Sequence, residues 1–184
     1  MNLILPYGSN IMKNIIALDD QSLSNQIIDC YNVLKFYVHN YNGNYRQIKD
    51  KVILHYVKHN ALNFVSDYGQ IALLEYHYRM GKYHKYNDWF VDLQKDLNQL
   101  LKNTPQISRD KIKLIYAQEI QLNNIIGIDY IIKTKNIEEL YKTYLINRWE
   151  ENIREHARVP EWTKRGIPEF FPLPTNINVK KVKK

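Results

Sequence analysis

The chain has a single cysteine, Cys30, so it can form neither an internal disulfide nor a zinc site built from cysteines. That scarcity fits a reducing compartment. Long apolar runs are missing as well. Pro6, Gly8, Ser9, Asn10 and Lys13 interrupt the opening stretch, leaving no continuous signal-peptide core and nothing near the roughly 18 apolar residues of a membrane span. The expectation is a protein of the cytoplasm with no membrane association. There is no glycine-rich phosphate loop and no Gly-x-Ser-x-Gly elbow, which excludes P-loop nucleotide hydrolysis and the common serine-hydrolase arrangement. No cofactor is implied.

What is present suffices for a folded domain. Of 184 residues, 45% are hydrophobic and 24% charged, and a chain of this size buries about 70% of its unfolded surface without staples. Lys and Arg number 26 against 19 Asp and Glu, a formal net charge of +7. This excess favours an anionic partner, nucleic acid first. Part of it sits in Lys180, Lys181, Lys183 and Lys184, a pattern that also suits a solvated tail. The abundance of isoleucine, asparagine, lysine and tyrosine matches AT-rich codons, which accounts for some of the lysine.

Periodicity predicts helices. After Asp19 and Asp20, Leu23, Ile27, Tyr31, Leu34 and Val38 recur at helical spacing, and the asparagines and Gly43 between 40 and 44 end the segment. Residues 46–80 read as two consecutive helices, the first short, with Gly81 as the residue that closes the second. Asn87 and Asp88 are expected to cap a helix carrying Phe90, Leu93, Leu97 and Leu100 on one face before Thr104 and Pro105. Residues 125–132 fit either a strand or a buried helix. Asn136 with Glu139 resembles a capping box ahead of Ile137, Leu140, Tyr144, Arg148 and Trp149. Pro160, Pro168, Pro172 and Pro174 then exclude a continuing helix. The fold class is all-α, a compact single-domain helical fold: residues 1–18 as an N-terminal extension that can include a strand, 19–158 as the helical domain, and 159–184 as an extended aromatic and proline-rich strap with a basic tail.

His55 and His59 have the i,i+4 spacing that lets two imidazoles share a zinc ion. Tyr56, Val57 and Lys58 between them lack the glutamate of a zinc protease, so no metal site is assigned and the pair reads as surface histidines. Cys30 beside Asp29 suits a buried thiol, since the neighbouring carboxylate disfavours a thiolate. Two places carry more. Asp29 shares a polar helix face with Ser22, Asn25 and Asn32, which is either a solvated face or a carboxylate ringed by hydroxyl and amide groups. The run from Glu75 to Lys85 interleaves Arg79, Lys82, His84 and Lys85 with aromatic rings at a helix end. Cations there stabilise the helix by themselves, and with stacking rings they also make a phosphate and base platform.

These two places resemble, in order, motifs of the pyrimidine-dimer DNA glycosylase (phage endonuclease V-like) superfamily, in particular its uncharacterised phage branch. Residues 20–29, DQSLSNQIID, resemble the first-helix motif, with Asp29 at the position of the family's catalytic glutamate. Residues 75–85, EYHYRMGKYHK, are similar to the phage branch's central signature, and Tyr141, Tyr144, Trp162, Lys164, Arg165, Gly166, Pro168, Phe170 and Phe171 to its closing pattern. The resemblance implies a DNA glycosylase and abasic lyase acting on damaged or modified bases in double-stranded DNA, in a phage protein of the host cytoplasm or virion. An amine attacks the sugar C1′, expels the base and forms a Schiff base. In the family this is the chain's own α-amine, here Met1, whose reference pKa of about 8 leaves more free base at neutral pH than a lysine at about 10.4. It also implies Asp29 as electrostatic stabiliser and proton handler. Ser22, Asn25, Arg46, Arg79, Lys82, His84, Lys85, Trp162, Lys164 and Arg165 become the DNA-contact candidates.

Three departures accompany the likeness. Asp29 is one methylene shorter than glutamate, Ser22 stands where the family has histidine, and residues 1–12 precede the expected counterpart of the family's first strand, residues 13–18. They set a second reading beside the enzyme: a catalytically inactive relative serving as a DNA-binding or protein-interaction module. A protein partner would then dock on the aromatics between Trp149 and Phe171.

Overall fold

A computed structural model of the chain describes residues 3–8, 10–40, 54, 56–57, 61–102 and 137–172. The fold is all-α. Among the described residues it has five helices and no strand: α1 (Ile11–Ala17), α2 (Asp20–Asn40), α3 (Leu62–Met80), α4 (Asn87–Leu101) and α5 (Ile137–His156). The open question over residues 125–132, the histidines at 55 and 59, and the turn at 41–44 lie outside the described residues.

The strand expected within residues 13–18 is instead helix α1. Asn10 caps it, its Oδ1 accepting the Lys13 N–H at 3.0 Å. Asn14 is fully buried and holds the incoming chain to this helix, accepting from Tyr7 N and donating to Gly8 O, both at 2.7 Å. An extended backbone over 13–18 has no place for these bonds.

Helix α2 starts as expected. Asp19 Oδ1 accepts from Ser22 N at 2.9 Å, an N-cap, and Leu23, Ile27, Cys30 and Leu34 are fully buried along its inner face. Helix α3 runs antiparallel to it, since Arg79 meets Asp20 at one end and Gly69 meets Cys30 further along. Gly81 closes α3 in the left-handed conformation, φ +67°, with its N–H on His77 O. Helix α4 places Phe90, Leu93 and Leu97 inside, while Leu100, expected on the same face, is half exposed. Its start also differs: neither Asn87 nor Asp88 acts as the cap, and the preceding Tyr86 offers no side-chain acceptor. Asp88 instead lies in the first turn, where its charge suits the helix dipole.

Helix α5 contributes Leu140, Tyr141, Leu145 and Trp149 to the core. It stops where Ala157 turns to φ +49°. From there residues 157–172 hold no helix and return over the core: Trp149 meets Trp162 at 5.1 Å and Phe171 at 4.9 Å between ring centroids. The rest of the expected strap, 173–184, lies outside the described residues.

The closest packing is at Gly69. A Cβ there would stand 2.7 Å from Phe90 Cε2 and 3.0 Å from Cys30 Cβ, so three helices converge on a position with no room for a methyl group. Gly69→Ala should lower unfolding free energy by about 1–3 kcal/mol in urea titration, the cost of overpacking, despite alanine's better helix propensity.

Candidate functional site: a buried arginine latch and an acidic flank

The central signature and the closing segment meet around one buried guanidinium. Arg79 is 1% exposed. Its Nε donates to Glu75 Oε1 at 2.8 Å, and Nη1 donates to Leu18 O at 2.8 Å and Asp20 Oδ1 at 3.0 Å. Nη2 donates to Ile16 O at 3.0 Å and to Ile15 O at 3.4 Å. Arg79 therefore caps the carbonyl end of α1 and ties it to the start of α2.

The closing segment completes this latch. Arg165 grips Glu75 through Nε and Nη2 at 2.7 and 2.6 Å, and Thr163 Oγ1 donates to Asp20 Oδ2 at 2.6 Å. Trp162 Nε1 donates to Ala17 O at 3.1 Å. Burial alone would push the Glu75 carboxyl up, but hydrogen bonds from Arg165 and Arg79, together with their charges, outweigh it and hold the group below its usual value.

This geometry corrects several nucleic-acid contacts expected from sequence. Arg79 has no solvent face and no unused nitrogen, so it is not a phosphate ligand. Trp162 is buried against Trp149 and Phe171 and does not reach a groove. His84 is buried too: its Nδ1 accepts from Tyr86 N at 3.2 Å, which leaves the proton on Nε2 facing Ser24 Oγ at 3.0 Å. Burial first, then the Lys85 charge, lowers its pKa, so it is a neutral packing residue rather than a cation. Ser22 is 1% exposed with an unpartnered Oγ, and is inaccessible to a duplex on the surface. Asn25 is half-buried and accepts from Gln21 Nε2 at 3.1 Å. Met1 and Arg46 lie outside the described residues.

Three expected cations stay at the surface. Lys82 and Lys85 are exposed beyond the end of α3, and Lys164, also exposed, donates to Tyr78 O at 2.8 Å. Half-exposed Tyr78 lies under the Arg165 guanidinium at 4.4 Å, and exposed Tyr83 stacks on His77 at 4.3 Å. Exposed cations and aromatic rings thus stand around the end of α3, with Arg165 already matched by Glu75.

Asp29 lies elsewhere, nine residues or about 13 Å along α2 from the latch, on the flank shared with Gln26. It is half-buried. Burial raises its pKa, and the positive charge of Arg148 on α5 opposes the rise. Against the same flank lies the start of the chain: Leu3, Ile4 and Leu5 are almost wholly buried, Ile4 N donates to Gln26 Oε1 at 3.0 Å, and Ile4 O accepts from Tyr68 OH at 3.0 Å. The residues preceding α1 are thus core, a role that the Leu3-Ile4-Leu5 run could have signalled. Nothing in sequence pairs Arg148 with Asp29. The two sit on helices far apart in the chain.

Comparison with protein-family models, with curated proteins and with solved structures finds no match for this chain.

Removing the latch cation takes one ion-pair partner from buried Glu75 and one from partly buried Asp20 and removes a donor from three backbone carbonyls, so Arg79→Ala should cost about 3–5 kcal/mol in denaturant unfolding. Because Glu75 has a depressed pKa in the folded state, its contribution is present above its unfolded value of 4.5 and is lost as pH falls through the lower folded value. Glu75→Gln should flatten the acid limb of a stability-against-pH curve while lowering stability at pH 7.

Proposed function

We propose that the chain is a DNA-binding protein of the DNA glycosylase and abasic lyase class, acting on damaged or modified bases in duplex DNA. The observation that carries this reading is the Asp29 flank: a half-buried carboxylate whose pKa burial raises against the opposing charge of Arg148, on the side of α2 where residues 3–5 are pinned through Ile4. Three residues of chain span at most about 10 Å, and Asp29 is three residues, about 4.5 Å along the helix, beyond Gln26. In this reading the nucleophile is the α-amine on Met1, acting with that carboxylate.

In this reading the amine lone pair attacks C1′ and the bond from C1′ to the base breaks. The base departs with the bonding electrons and takes a proton, which a protonated Asp29 can supply. Ring opening and loss of the amine proton give the imine, from which the 3′ phosphate is eliminated. Once ionised, the same carboxylate offsets the cationic sugar. Lys82, Lys85 and Lys164 supply phosphate contacts, and the exposed rings of Tyr78 and Tyr83 suit a distorted duplex.

The second reading, a catalytically inactive relative that binds DNA, is favoured by buried Ser22 and by the use of Arg79, Arg165 and Trp162 in the latch. Docking of a protein on the closing aromatics has less to recommend it, since Trp149, Trp162, Phe170 and Phe171 pack against one another.

Incubation with dimer-containing, abasic and modified-base duplexes under borohydride should trap a covalent adduct, and Asp29→Asn should slow its formation by about 10²–10⁴-fold. Absence of adduct and strand cleavage on all three removes the enzyme and leaves the binding protein. For binding itself, replacing Lys82, Lys85 and Lys164 by alanine should weaken affinity for every duplex alike and reduce the salt slope by about 0.9 for each phosphate that is no longer neutralised. An unchanged slope assigns the DNA face elsewhere.

A further inference from the structure

The second flank of α2, away from Asp29, faces α4 across an open cleft of about 380 Å³. Each wall is a helical stripe. Tyr31, Lys35 and His39 recur every fourth residue on α2, and Trp89, Asp92 and Asp96 line the α4 side. Trp89 is 56% exposed, yet its indole is not loose: Tyr86 meets it edge-on at 5.1 Å, Tyr31 lies 6.1 Å away, and those two tyrosines lock together at 5.0 Å. A pinned, solvent-facing ring loses little entropy when another ring stacks on it. Of the charges that line the cleft, Lys35 is on the α2 wall and Asp92 and Asp96 on the α4 wall; Asp92 pairs with Lys95 of its own helix at 3.1 Å, both side chains staying exposed, and among the described residues no ion pair crosses the gap. Lys35 Nζ instead lies 5.7 Å from the Tyr31 ring, and Lys85 Nζ lies 5.5 Å from the Tyr86 ring.

A ligand matching all three features has a flat π-face for the indole, an anionic group for Lys35, and hydrogen-bond donors for a carboxylate. We infer that this cleft binds one unpaired guanine nucleotide, with the base on Trp89, its Watson–Crick edge toward Asp92 and Asp96, and its phosphate toward Lys35 and His39. Guanine is the base whose edge presents two adjacent donors, N1–H and the 2-amino group, which together fit one carboxylate. Adenine and cytosine each present one amino donor beside an acceptor, and thymine flanks its single donor with two carbonyls that a carboxylate repels. A purely cationic ligand would satisfy the aspartates but meet Lys35. From Tyr31 to His39 the cleft runs about 12 Å along the helices, enough for a nucleoside monophosphate. The inference does not rest on excision chemistry, because it uses neither Asp29 nor the chain's amine.

Indole fluorescence reads the site, since Trp149 and Trp162 are buried and Trp89 is not. Titration with GMP, AMP, CMP and TMP, and with a short single strand containing one dG, should show quenching strongest for GMP and for the dG strand. Calorimetry of the same ligands gives the affinity. Trp89→Ala should weaken GMP binding by about 5- to 100-fold, the range supported by one base–aromatic stack, with Trp89→Phe retaining most of it. Asp96→Asn should narrow the preference for GMP over AMP, and Lys35→Ala should weaken all four nucleotides. Preference for the dG strand over GMP identifies nucleic acid as the source of the base, and the reverse identifies a free nucleotide. No binding of any of these ligands at millimolar concentration overturns the inference, as does GMP affinity unchanged in Trp89→Ala. Equal affinity for all four nucleotides overturns the assignment of guanine.

Discussion

One buried guanidinium organises the described structure. Arg79 lies on α3, yet its bonds reach the last carbonyls of α1, the first residue of α2 and, through Glu75, the closing segment at Arg165. Its positive charge is tolerable inside only because two carboxylates and three backbone oxygens surround it. Those partners come from the end of α1, from the start of α2 and from α3 itself, and Glu75 extends the link to the closing segment through Arg165, so satisfying one charge sets the relative placement of all four. The arrangement around Thr163 and Trp162, which bond Asp20 and Ala17, follows from the same constraint.

With that end of α2 fastened, the remaining length of the helix presents two different surfaces. One flank carries Gln26 and Asp29, and residues 3–5 lie against it through the Ile4 bond to Gln26. The other carries Ser24, Tyr31 and Lys35 and turns toward the segment from His84 to Asp96. Between them, Leu23, Ile27, Cys30 and Leu34 are used up in packing against α3 and α4. A single helix thus supplies an acid in a partly desolvated setting and, about 100–160° around its axis, an aromatic and cationic wall in a wetter one. The separation has a chemical consequence. A group that handles protons benefits from low dielectric, whereas a site for a charged ligand benefits from exposed cations and a rigid ring.

Much of the fold was legible in the residues themselves. The start of α2, the closure of α3 at Gly81 and the buried stripe of α2 follow from local spacing and turn chemistry, which act over a few residues, while Asn136, expected to cap α5, lies outside the described residues. The helix at Ile11–Ala17 was missed because its deciding contacts, Asn14 to Tyr7 and Gly8 and Arg79 to its carbonyls, depend on chain arriving from elsewhere. The candidate site was legible in part. Asp29 was visible on a polar face, but its partial burial and the opposing charge of Arg148 were not. Arg79, His84 and Trp162 looked like ligand contacts because a cation or ring in a motif reads the same whether it points outward or is consumed by the core.

The residues alone determined that this chain forms helices, where α2, α3 and α4 lie, and that it carries excess positive charge with many aromatic rings, since propensity, periodicity and charge are properties of short stretches. The tertiary structure decided which charges remain available. Arg79 and Arg165 are neutralised by Glu75 and Asp20, His84 is neutral, and Lys82, Lys85 and Lys164 face solvent. That division depends on burial and on partners distant in the chain, and both exist only after the helices have packed.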